Sequence, residues 1–219
     1  MVIRIGSRKS PLALRQVEEA KKFFPGADFE ITTYDTLGDK DKTTPISEVE
    51  GSDFFTREID QALLNEEIDL AVHSAKDLPD KLVKGLQVLL ETKSISPLDA
   101  LVSKGSLKFK ALPQGSRIGA SSKRRKGHIQ LLRPDLAIID VRGSIGERLS
   151  LLNDGKIDAL IVAEVALIRL GLEERIAEVL LEEFFPAHPK QGSLSLVVKE
   201  KSWRKVKSLL SEQARATGN

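Results

Sequence analysis

Four segments of the sequence carry side chains that could bind an acidic ligand, and each accompanies a predicted strand. They are Gly6–Pro11, Asp69–Pro79, Ser121–Lys126 and Arg142–Arg148. In open α/β sheets, ligands bind just beyond the carboxyl ends of the strands. In the first segment, Arg8 and Lys9 lie beside a predicted helix start at Ser10 and Pro11, where free backbone N–H groups favour anions. A capped helix with two solvated charges explains this segment equally well.

The third segment places four cations, Lys123 to Lys126, in the first turn of a predicted helix after Ser121 and Ser122. Each positive charge at this end of a helix is unfavourable by roughly 0.3–1 kcal/mol. We expect a bound polyanion, contacting Arg124 and Arg125 among others, to compensate for these charges. A solvated basic face or a nucleic-acid patch is the alternative.

In the fourth segment, Arg142 ends a predicted strand, Gly143 permits a tight turn, and Arg148 lies on the helix that follows. The planar guanidinium group of arginine suits carboxylates. The alternative is a surface ion pair, which contributes only about 0–1 kcal/mol.

The second segment is an apolar strand that leads through Ser74 to Lys76 and Asp77. Asp77 could be a general acid or base, or could stabilise a cation. Its spacing before Pro79 is explained better by a turn or cap residue. Taken together, the four segments predict a small polycarboxylate or phosphorylated ligand.

Strand and helix patterns alternate along the chain, which predicts parallel α/β architecture. Ser10 is a predicted helix cap with Pro11 as the first helical residue. The polar stretch 37–52 is a predicted mobile loop. The other predicted strands span 2–5, 29–34, 69–73, 87–90, 100–103, 117–120, 137–141, 159–163 and 193–198. The other predicted helices span 55–65, 122–132, 145–152, 164–170 and 203–213. Two units of about 100 residues predict two lobes and a cleft.

Composition excludes several kinds of site. The 219 residues contain no cysteine, so a disulfide, a thiolate metal site and a cysteine nucleophile are all excluded. The three histidines are far apart, and we expect no metal. The 34 Lys and Arg residues nearly balance 32 Asp and Glu residues, so attraction of an anion depends on their placement. Without a signal core or a long apolar stretch, we expect a cytoplasmic protein that does not enter a membrane.

The charged segments, in this order, resemble the porphobilinogen deaminase (hydroxymethylbilane synthase) family. The matching runs are residues 4–14, 71–79, 119–125, 133–136 and 141–149, with a weaker match at 166–172. The resemblance implies two α/β lobes like those of type II periplasmic binding proteins. It places residues 1–92 and 191–219 in lobe one, residues 98–186 in lobe two, and hinges at 93–97 and 187–190.

The resemblance also implies the reaction and its residues. Four porphobilinogen molecules are joined head to tail, with release of ammonia, into a linear tetrapyrrole. Asp77 matches the catalytic aspartate. Matches to positions that bind cofactor or substrate are Arg8, Ser10, Gln16, Phe55, Ser74, Lys76, Ser121, Ser122, Arg124, Arg125, Arg142, Gly143, Arg148, Gln191 and Gly192.

The sequence departs from the family pattern in two places. The family attaches a dipyrromethane primer to a cysteine of a third domain, whereas this sequence has no cysteine and stops about where we expect that domain to begin. In addition, Ser52 replaces the lysine of the family's Gly-Gly-Lys-Gly-Leu-Phe loop. We therefore expect a primer held without a covalent bond, a separate chain that supplies the third domain, or loss of polymerisation.

Three functions remain open from the sequence. The first is a minimal deaminase in haem and tetrapyrrole biosynthesis, with porphobilinogen as its partner. The second is a protein that binds carboxylated pyrroles without turnover. The third is an RNA or phosphate binder, which we rank last because only 5% of the residues are aromatic and could stack on bases. Asp77 favours the enzyme, since binding a carboxylate does not require another carboxylate.

Overall fold

The chain forms two α/β units. The computed structural model describes residues 2–217, apart from the side chains at 47, 213, 216 and 217. Contacts between Cα atoms place Met1–Asp41, Glu50–Ser94 and Gly192–Asn219 in a first unit. Lys42–Val49 and Ile95–Gln191 form a second unit. The boundaries proposed from the sequence placed residues 42–49 in the first lobe, whereas here they group with the second unit.

Ten strands and nine helices follow one another along the described residues. The strands are β1 Val2–Arg8, β2 Asp28–Tyr34, β3 Leu70–Ser74, β4 Leu86–Glu91, β5 Asp99–Ser103, β6 Arg117–Ala120, β7 Ala137–Asp140, β8 Ala159–Ala163, β9 Glu178–Leu180 and β10 Leu194–Lys199. The helices are α1 Pro11–Lys21, α2 Leu37–Lys40, α3 Ile46–Val49, α4 Arg57–Leu64, α5 Lys123–Leu132, α6 Ile145–Asn153, α7 Glu164–Leu170, α8 Trp203–Lys207 and α9 Glu212–Thr217. No helix in this part of the chain is long and apolar enough to cross a membrane.

The two sheets share one pattern of strand directions, although the chain visits their strands in a different order. The first has the order β2-β1-β3-β10-β4, in which β1 is parallel to β2 and β3, and β10 is antiparallel to β3 and β4. The second has the order β7-β6-β8-β5-β9, in which β6 is parallel to β7 and β8, and β5 is antiparallel to β8 and β9. In each unit, therefore, four strands run in the same direction and end at one edge, and one antiparallel strand begins there.

Each sheet is covered by apolar side chains on both faces, because successive side chains of a strand point to opposite sides. In the first unit, Leu70 and Val72 of β3 pack in one cluster with α1, and Ala71 packs in another with Ile59 and Leu63 of α4. The second unit repeats this arrangement with two clusters that share β8. Near-continuous apolar runs in the strands result from this double burial.

The cap predicted at Ser10 is confirmed. The Ser10 hydroxyl accepts a hydrogen bond from the Ala13 N–H at 3.2 Å, and Pro11 occupies the first turn. Proline suits this position because its missing N–H would have no partner within the helix. The N-terminus of α1 is thereby fixed directly after β1.

Three predictions of local structure were wrong in detail. The stretch 37–52 is not plain loop, because it contains the one-turn helices α2 and α3. The predicted helix 203–213 is divided into α8 and α9. Strand β9 was missed because three residues are too few to show a periodic pattern.

Strand β10, which comes from the C-terminal part of the chain, contributes buried side chains to the core of the first unit. We expect Leu196→Ala, at a residue with 0% exposure, to lower the free energy of unfolding by about 2–5 kcal/mol because it leaves a cavity in the apolar cluster that also contains Val17 and Leu70. Urea denaturation measures this change. The control is Leu14→Ala, at a residue with 38% exposure, where we expect a change within about 0.5 kcal/mol. Equal effects in the two variants would contradict this placement of β10.

Candidate functional site

In the first unit, the predicted site residues collect at one edge of the sheet. Strands β1 and β3 are parallel neighbours, and they end at Arg8 and Ser74. A single 3-10 turn, Ala75–Asp77, follows β3 directly. The start of β10 lies at the same edge, since Leu194 pairs with Ser74 and the Ala75 N–H donates to the Ser193 carbonyl at 3.0 Å.

Gln16 and Ser74 are joined by a direct hydrogen bond. The Gln16 Nε2 donates to Ser74 Oγ at 2.8 Å, and Gln16 is 4% exposed. Helix α1 therefore packs against the end of β3 through a polar contact. Gln16 thereby holds the Ser74 hydroxyl in place at the end of β3.

Arg8 has two partners, of which Asp39 comes from the stretch predicted to be loop and Phe55 follows that stretch. Its Nε donates to the carboxylate oxygens of Asp39 at 3.2 and 3.1 Å, and its Nη2 also contacts Asp39. Its guanidinium carbon lies 4.5 Å from the centroid of the Phe55 ring. Burial alone would raise the pKa of Asp39, but the hydrogen bonds and charge of Arg8 outweigh burial and hold that pKa below its ordinary value. Arg8 is thereby oriented by the segment that carries α2.

Lys76 and Asp77 lie in the turn after β3, and both are partly exposed. Within residues 2–217, the Asp77 carboxylate makes no hydrogen bond or ion pair. An Asp in this situation can face a cation on a ligand. The geometry therefore allows a chemical role for Asp77, although its spacing in the sequence favoured a turn residue.

The crossing from the second unit to the first passes through Gln191 and Gly192. Gly192 has φ +92°, which favours glycine, and it is buried just before β10. Gln191 belongs to the second unit, where its Nε2 donates to Asp99 Oδ1 at 2.9 Å.

In the second unit, the predicted residues again lie where parallel strands end. Strands β6 and β7 end at Ala120 and Asp140, and the loops after them begin α5 and α6. The Ser121 hydroxyl donates to the Val141 carbonyl at 2.8 Å, so the two loops are in contact. Ser122 caps α5 by accepting from the Arg125 N–H at 3.3 Å.

The cations at the start of α5 have carboxylate partners inside the protein, so a bound polyanion is not required to compensate for them. The Arg124 Nη2 lies 2.7 Å from Asp99 Oδ2, and Arg125 makes two bonds to the Asp99 carboxylate at 3.1 and 2.6 Å. Lys126 pairs with Asp140 at 2.5 Å. The sequence argument failed here because Asp99 is about 25 residues away in the chain.

Asp99 has 0% exposure. Burial would raise its pKa, but the charges and hydrogen bonds of Arg125 and Arg124 lower it to about 2. The carboxylate therefore stays ionised at neutral pH.

The loop from Arg142 to Arg148 is built around a glycine in the left-handed region. Gly143 has φ +93°, and a Cβ there would lie 2.7 Å from the Glu147 Oε2. The Arg148 Nε donates to the Gly143 carbonyl at 2.9 Å. Glu147 closes a capping box with Ser144 and pairs with Lys42 at 2.5 Å. The Lys42 and Ser144 interactions lower the pKa of Glu147 to about 2.

Two buried titratable groups lie within the first unit. Burial lowers the pKa of His73 to about 4, with a contribution from the charge of Arg8, so the imidazole is neutral at pH 7. Burial raises the pKa of Asp60 to about 6, against the hydrogen bond that Thr56 Oγ1 donates to its carboxylate at 2.8 Å. Asp60 and Asp99 are thus buried carboxyl groups with opposite shifts, because only Asp99 has arginine partners.

Sequence reasoning missed Asp39 and Asp99, which hold the arginines at the two edges. Asp39 could have been found from the Thr36-to-Asp39 capping pattern, which predicts a helix start there. Asp99 has no comparable local signal. No cluster of His, Cys, Asp and Glu suited to a metal occurs among the described residues.

The Gly143 turn gives a prediction about stability. We expect Gly143→Ala to lower the free energy of unfolding by about 1–3 kcal/mol, because its φ and the contact with Glu147 both oppose a Cβ. The control is Gly146→Ala in α6, where a Cβ would lie no closer than 4.0 Å to the Ser144 hydroxyl and helix propensity favours alanine. Urea denaturation of both variants measures the difference. A Gly143→Ala protein as stable as Gly146→Ala would contradict the turn geometry.

The buried carboxyl of Asp60 gives a prediction about pH. A pKa near 6 in the folded state exceeds the unfolded value, so the folded state binds more protons between about pH 4 and 6. Stability from Asp60 is therefore present below pH 4 and is lost as pH rises through 6. We therefore compare the free energy of unfolding of Asp60→Asn with that of the unsubstituted protein at two pH values. We expect this difference to shift in favour of the variant by about 2–3 kcal/mol between pH 3.5 and pH 8, so that the variant is the more stable protein at pH 8.

Urea denaturation at the two pH values tests this expectation. Asp28→Asn, at an exposed position of the first unit, controls for loss of one carboxyl charge. A constant difference between Asp60→Asn and the unsubstituted protein across this pH range would refute the buried, protonated carboxyl.

Comparisons with known proteins identify the family of this chain. A family model described as porphobilinogen deaminase, dipyromethane cofactor binding domain, matches residues 3–207. Porphobilinogen deaminase of Natranaerobius thermophilus is 39% identical over 204 residues, which are 91% of this chain and 66% of that protein. Porphobilinogen deaminase of Thermus thermophilus is 42% identical over 204 residues, with the same two shares. The chain thus spans about two thirds of the length of these relatives.

A solved structure is similar over the whole chain. The methionine-binding protein MetQ has a TM-score of 0.60 and 15% identity, and the match covers 100% of this chain and 94% of that one. At this identity the likeness shows the fold alone, and it confirms the predicted class of two α/β lobes like those of periplasmic binding proteins. With the family model matching nearly the whole sequence and relatives near 40% identity, the chain belongs to the porphobilinogen deaminase family.

Proposed function

We propose that the chain condenses porphobilinogen into a linear tetrapyrrole with release of ammonia. One observation carries this proposal: Asp77 lies in the turn after β3, at the same sheet edge as the cation Arg8 and the hydroxyl of Ser74. A pyrrole with acidic side arms and an aminomethyl group requires both kinds of partner. Family membership over residues 3–207 supports the same chemistry.

The carboxylate-binding residues lie at the ends of parallel strands in each unit. In the first unit these are Arg8, Ser10, Ser74 and Lys76, and in the second they are Ser121, Ser122, Arg124, Arg142 and Arg148. Charge-assisted hydrogen bonds from arginine to a carboxylate contribute about 1.5–3 kcal/mol each when sheltered from water. Several such bonds would hold the acetate and propionate arms and orient the pyrrole ring.

Asp77 has the chemical role in this proposal. Deamination breaks the C–N bond of the substrate's protonated aminomethyl group, –CH2–NH3⁺; the electron pair of that bond leaves with ammonia, and the pyrrole keeps the positive charge as a cation. The Asp77 carboxylate stabilises that cation electrostatically. When the next pyrrole forms the new C–C bond, its ring carbon loses a proton, and an Asp77 carboxylate oxygen accepts it.

The donor set also fits the acidic arms of a dipyrromethane cofactor, because arginines and serines at the two edges suit carboxylates. Such a cofactor, when bound, supplies the end to which the first substrate is joined. A thioether attachment does not fit these 219 residues, since none is cysteine. A cofactor bound to this chain would therefore be held by ion pairs and hydrogen bonds.

A second candidate function is binding of a carboxylated pyrrole without turnover. The absence of a cysteine from these residues favours it, because arginine and serine donors need no covalent anchor to bind the acidic arms.

The test of the proposed function is turnover by the purified chain. We expect porphobilinogen to be consumed with release of ammonia, and Asp77→Asn to lower kcat by about 10²–10⁴ with KM changed less than about threefold. The substitution removes the charge but retains the shape, so the carboxylate-binding residues stay in place. Ammonia release and the absorbance of the oxidised tetrapyrrole measure the rate.

Asp80→Asn is the matched control, because Asp80 is exposed and lies three residues further along the same segment. We expect it to keep the unsubstituted rate. Thermal stabilisation by porphobilinogen without turnover would support the binding protein instead of the enzyme. Failure of the unsubstituted chain to bind porphobilinogen would refute both functions.

A further inference from the structure

The carboxylate of Asp99 is the centre of a buried polar network in the second unit. Asp99 begins β5 with 0% exposure. It accepts four hydrogen bonds among the described residues: from Arg124 Nη2 at 2.7 Å, from Arg125 Nε at 3.1 Å, from Arg125 Nη2 at 2.6 Å and from Gln191 Nε2 at 2.9 Å. These bonds satisfy a charge that would otherwise be strongly unfavourable away from water.

The two arginines of this network differ in exposure. The side chain of Arg125 is 6% exposed, and Asp99 binds both its Nε and its Nη2. The Nε and Nη2 side of the Arg125 guanidinium group, which could otherwise bind a ligand carboxylate, is therefore occupied by Asp99. The side chain of Arg124 is 23% exposed and gives one N–H to Asp99 and one to the Pro186 carbonyl. Since a guanidinium group has five N–H donors, Arg124 retains donors for a ligand.

The charges of the network also indicate that Arg124 is the arginine available to a ligand. One carboxylate faces two guanidinium groups, so one positive charge remains. Because Arg125 is buried against Asp99, the charge available to an external anion is that of Arg124. This charge lies at the first turn of α5, where backbone N–H groups also favour an anion.

Gln191 fixes Asp99 from the other side. Its Nε2 donates to the Pro97 carbonyl at 2.7 Å and the Leu98 carbonyl at 3.0 Å, and its Oε1 accepts from Arg125 at 3.3 Å. Gln191 is 1% exposed. The network thereby joins three segments of one unit: the residues before β5, the start of α5, and the last residue before the chain crosses to the first unit.

We propose that Asp99 is a positioning residue, which holds Arg124 in the orientation that binds a carboxylate of the substrate, while Arg125 and Gln191 support Asp99. The proposal rests on the proposed function for the identity of the ligand. It changes the roles of Arg125 and Gln191, which the family resemblance placed among the ligand-binding residues. Neither of them needs to touch the ligand in order to matter for binding.

A role in stability alone is the competing explanation, and the two can be separated. Replacing a buried ion pair by apolar residues of similar volume is often neutral or stabilising. Asp99→Leu combined with Arg125→Met therefore removes the buried charges of Asp99 and Arg125 together, and leaves neither of them as an unpaired buried ion. We expect this double variant to fold with a Tm near that of the unsubstituted protein, whereas Asp99→Asn alone leaves Arg125 buried and lowers Tm by about 10 °C.

The decisive measurement is the Kd of porphobilinogen, determined by calorimetry. We expect Arg124→Ala to weaken binding by about 10–100-fold, and the double variant to weaken it to a similar extent. Adding Arg124→Ala to the double variant should then cost less than about threefold, because Arg124 is already misplaced. Full retention of affinity in the folded double variant, or an undiminished effect of Arg124→Ala within it, overturns the proposal.

Asp158→Asn is the matched control in the same unit. Asp158 makes a comparable two-pronged ion pair with Arg117, at 3.0 and 2.9 Å, at the start of β6, which is the opposite end of that strand from α5. We expect this variant to bind porphobilinogen as the unsubstituted protein does. Weakening as large as that in the double variant would mean that any lost ion pair reduces binding, and would overturn a specific role for Asp99.

Crystal structures of the unsubstituted protein and the double variant keep this inference separate from the proposed function. If the unsubstituted protein does not bind porphobilinogen, the proposed function is refuted, and the structures still decide the role of Asp99. We expect the Arg124 guanidinium group to move by more than about 2 Å in the double variant, because the side chain adopts a different rotamer. An Arg124 that keeps its rotamer overturns the positioning role, whatever the protein binds.

Discussion

A carboxylate without access to water has to be paired, and the arrangement of the second unit follows from this constraint at Asp99. Its 0% exposure makes the unpaired charge strongly unfavourable, so two arginines and a glutamine amide surround it. Because Arg124 and Arg125 begin α5, this pairing also determines where the helix starts relative to β5. The first unit uses a more exposed version of the same interaction, in which Asp39 orients Arg8.

The sheet topology explains why these interactions occur at one edge of each unit. Four strands of the same direction end there, and the antiparallel strand begins there, so the loops at that edge have short connections and free backbone groups. Ser10, Ser122 and Ser144 cap the helices that start from these loops. The shared strand directions of the two sheets therefore give each unit its own serine and arginine side chains at that edge, although the sequence shows no internal repeat.

Local patterns were sufficient to predict most elements but not the pairing of the charges. The cap at Ser10 and the helix after Ser122 depend on neighbouring residues, and a pattern of side chains reveals them. The stretch 37–52 was misread because helices of one turn have no measurable period. The sequence analysis assigned an external anion to the cations of α5 because Asp99, the partner of Arg124 and Arg125, is brought to them only by the position of β5 beside β8 in the sheet.

The buried pairing also clarifies what a cluster of cations can indicate about function. A carboxylate that binds two arginines neutralises only one of them. The second arginine keeps its positive charge and is held in a fixed orientation. Arg125, buried, and Arg124, a quarter exposed, show this division within two adjacent residues. A count of cations in a sequence therefore overestimates the number that contact a ligand, since some of them serve to hold the others. In this chain the acidic residues missed by sequence reasoning, Asp39 and Asp99, determine which arginines are presented and which are used for support.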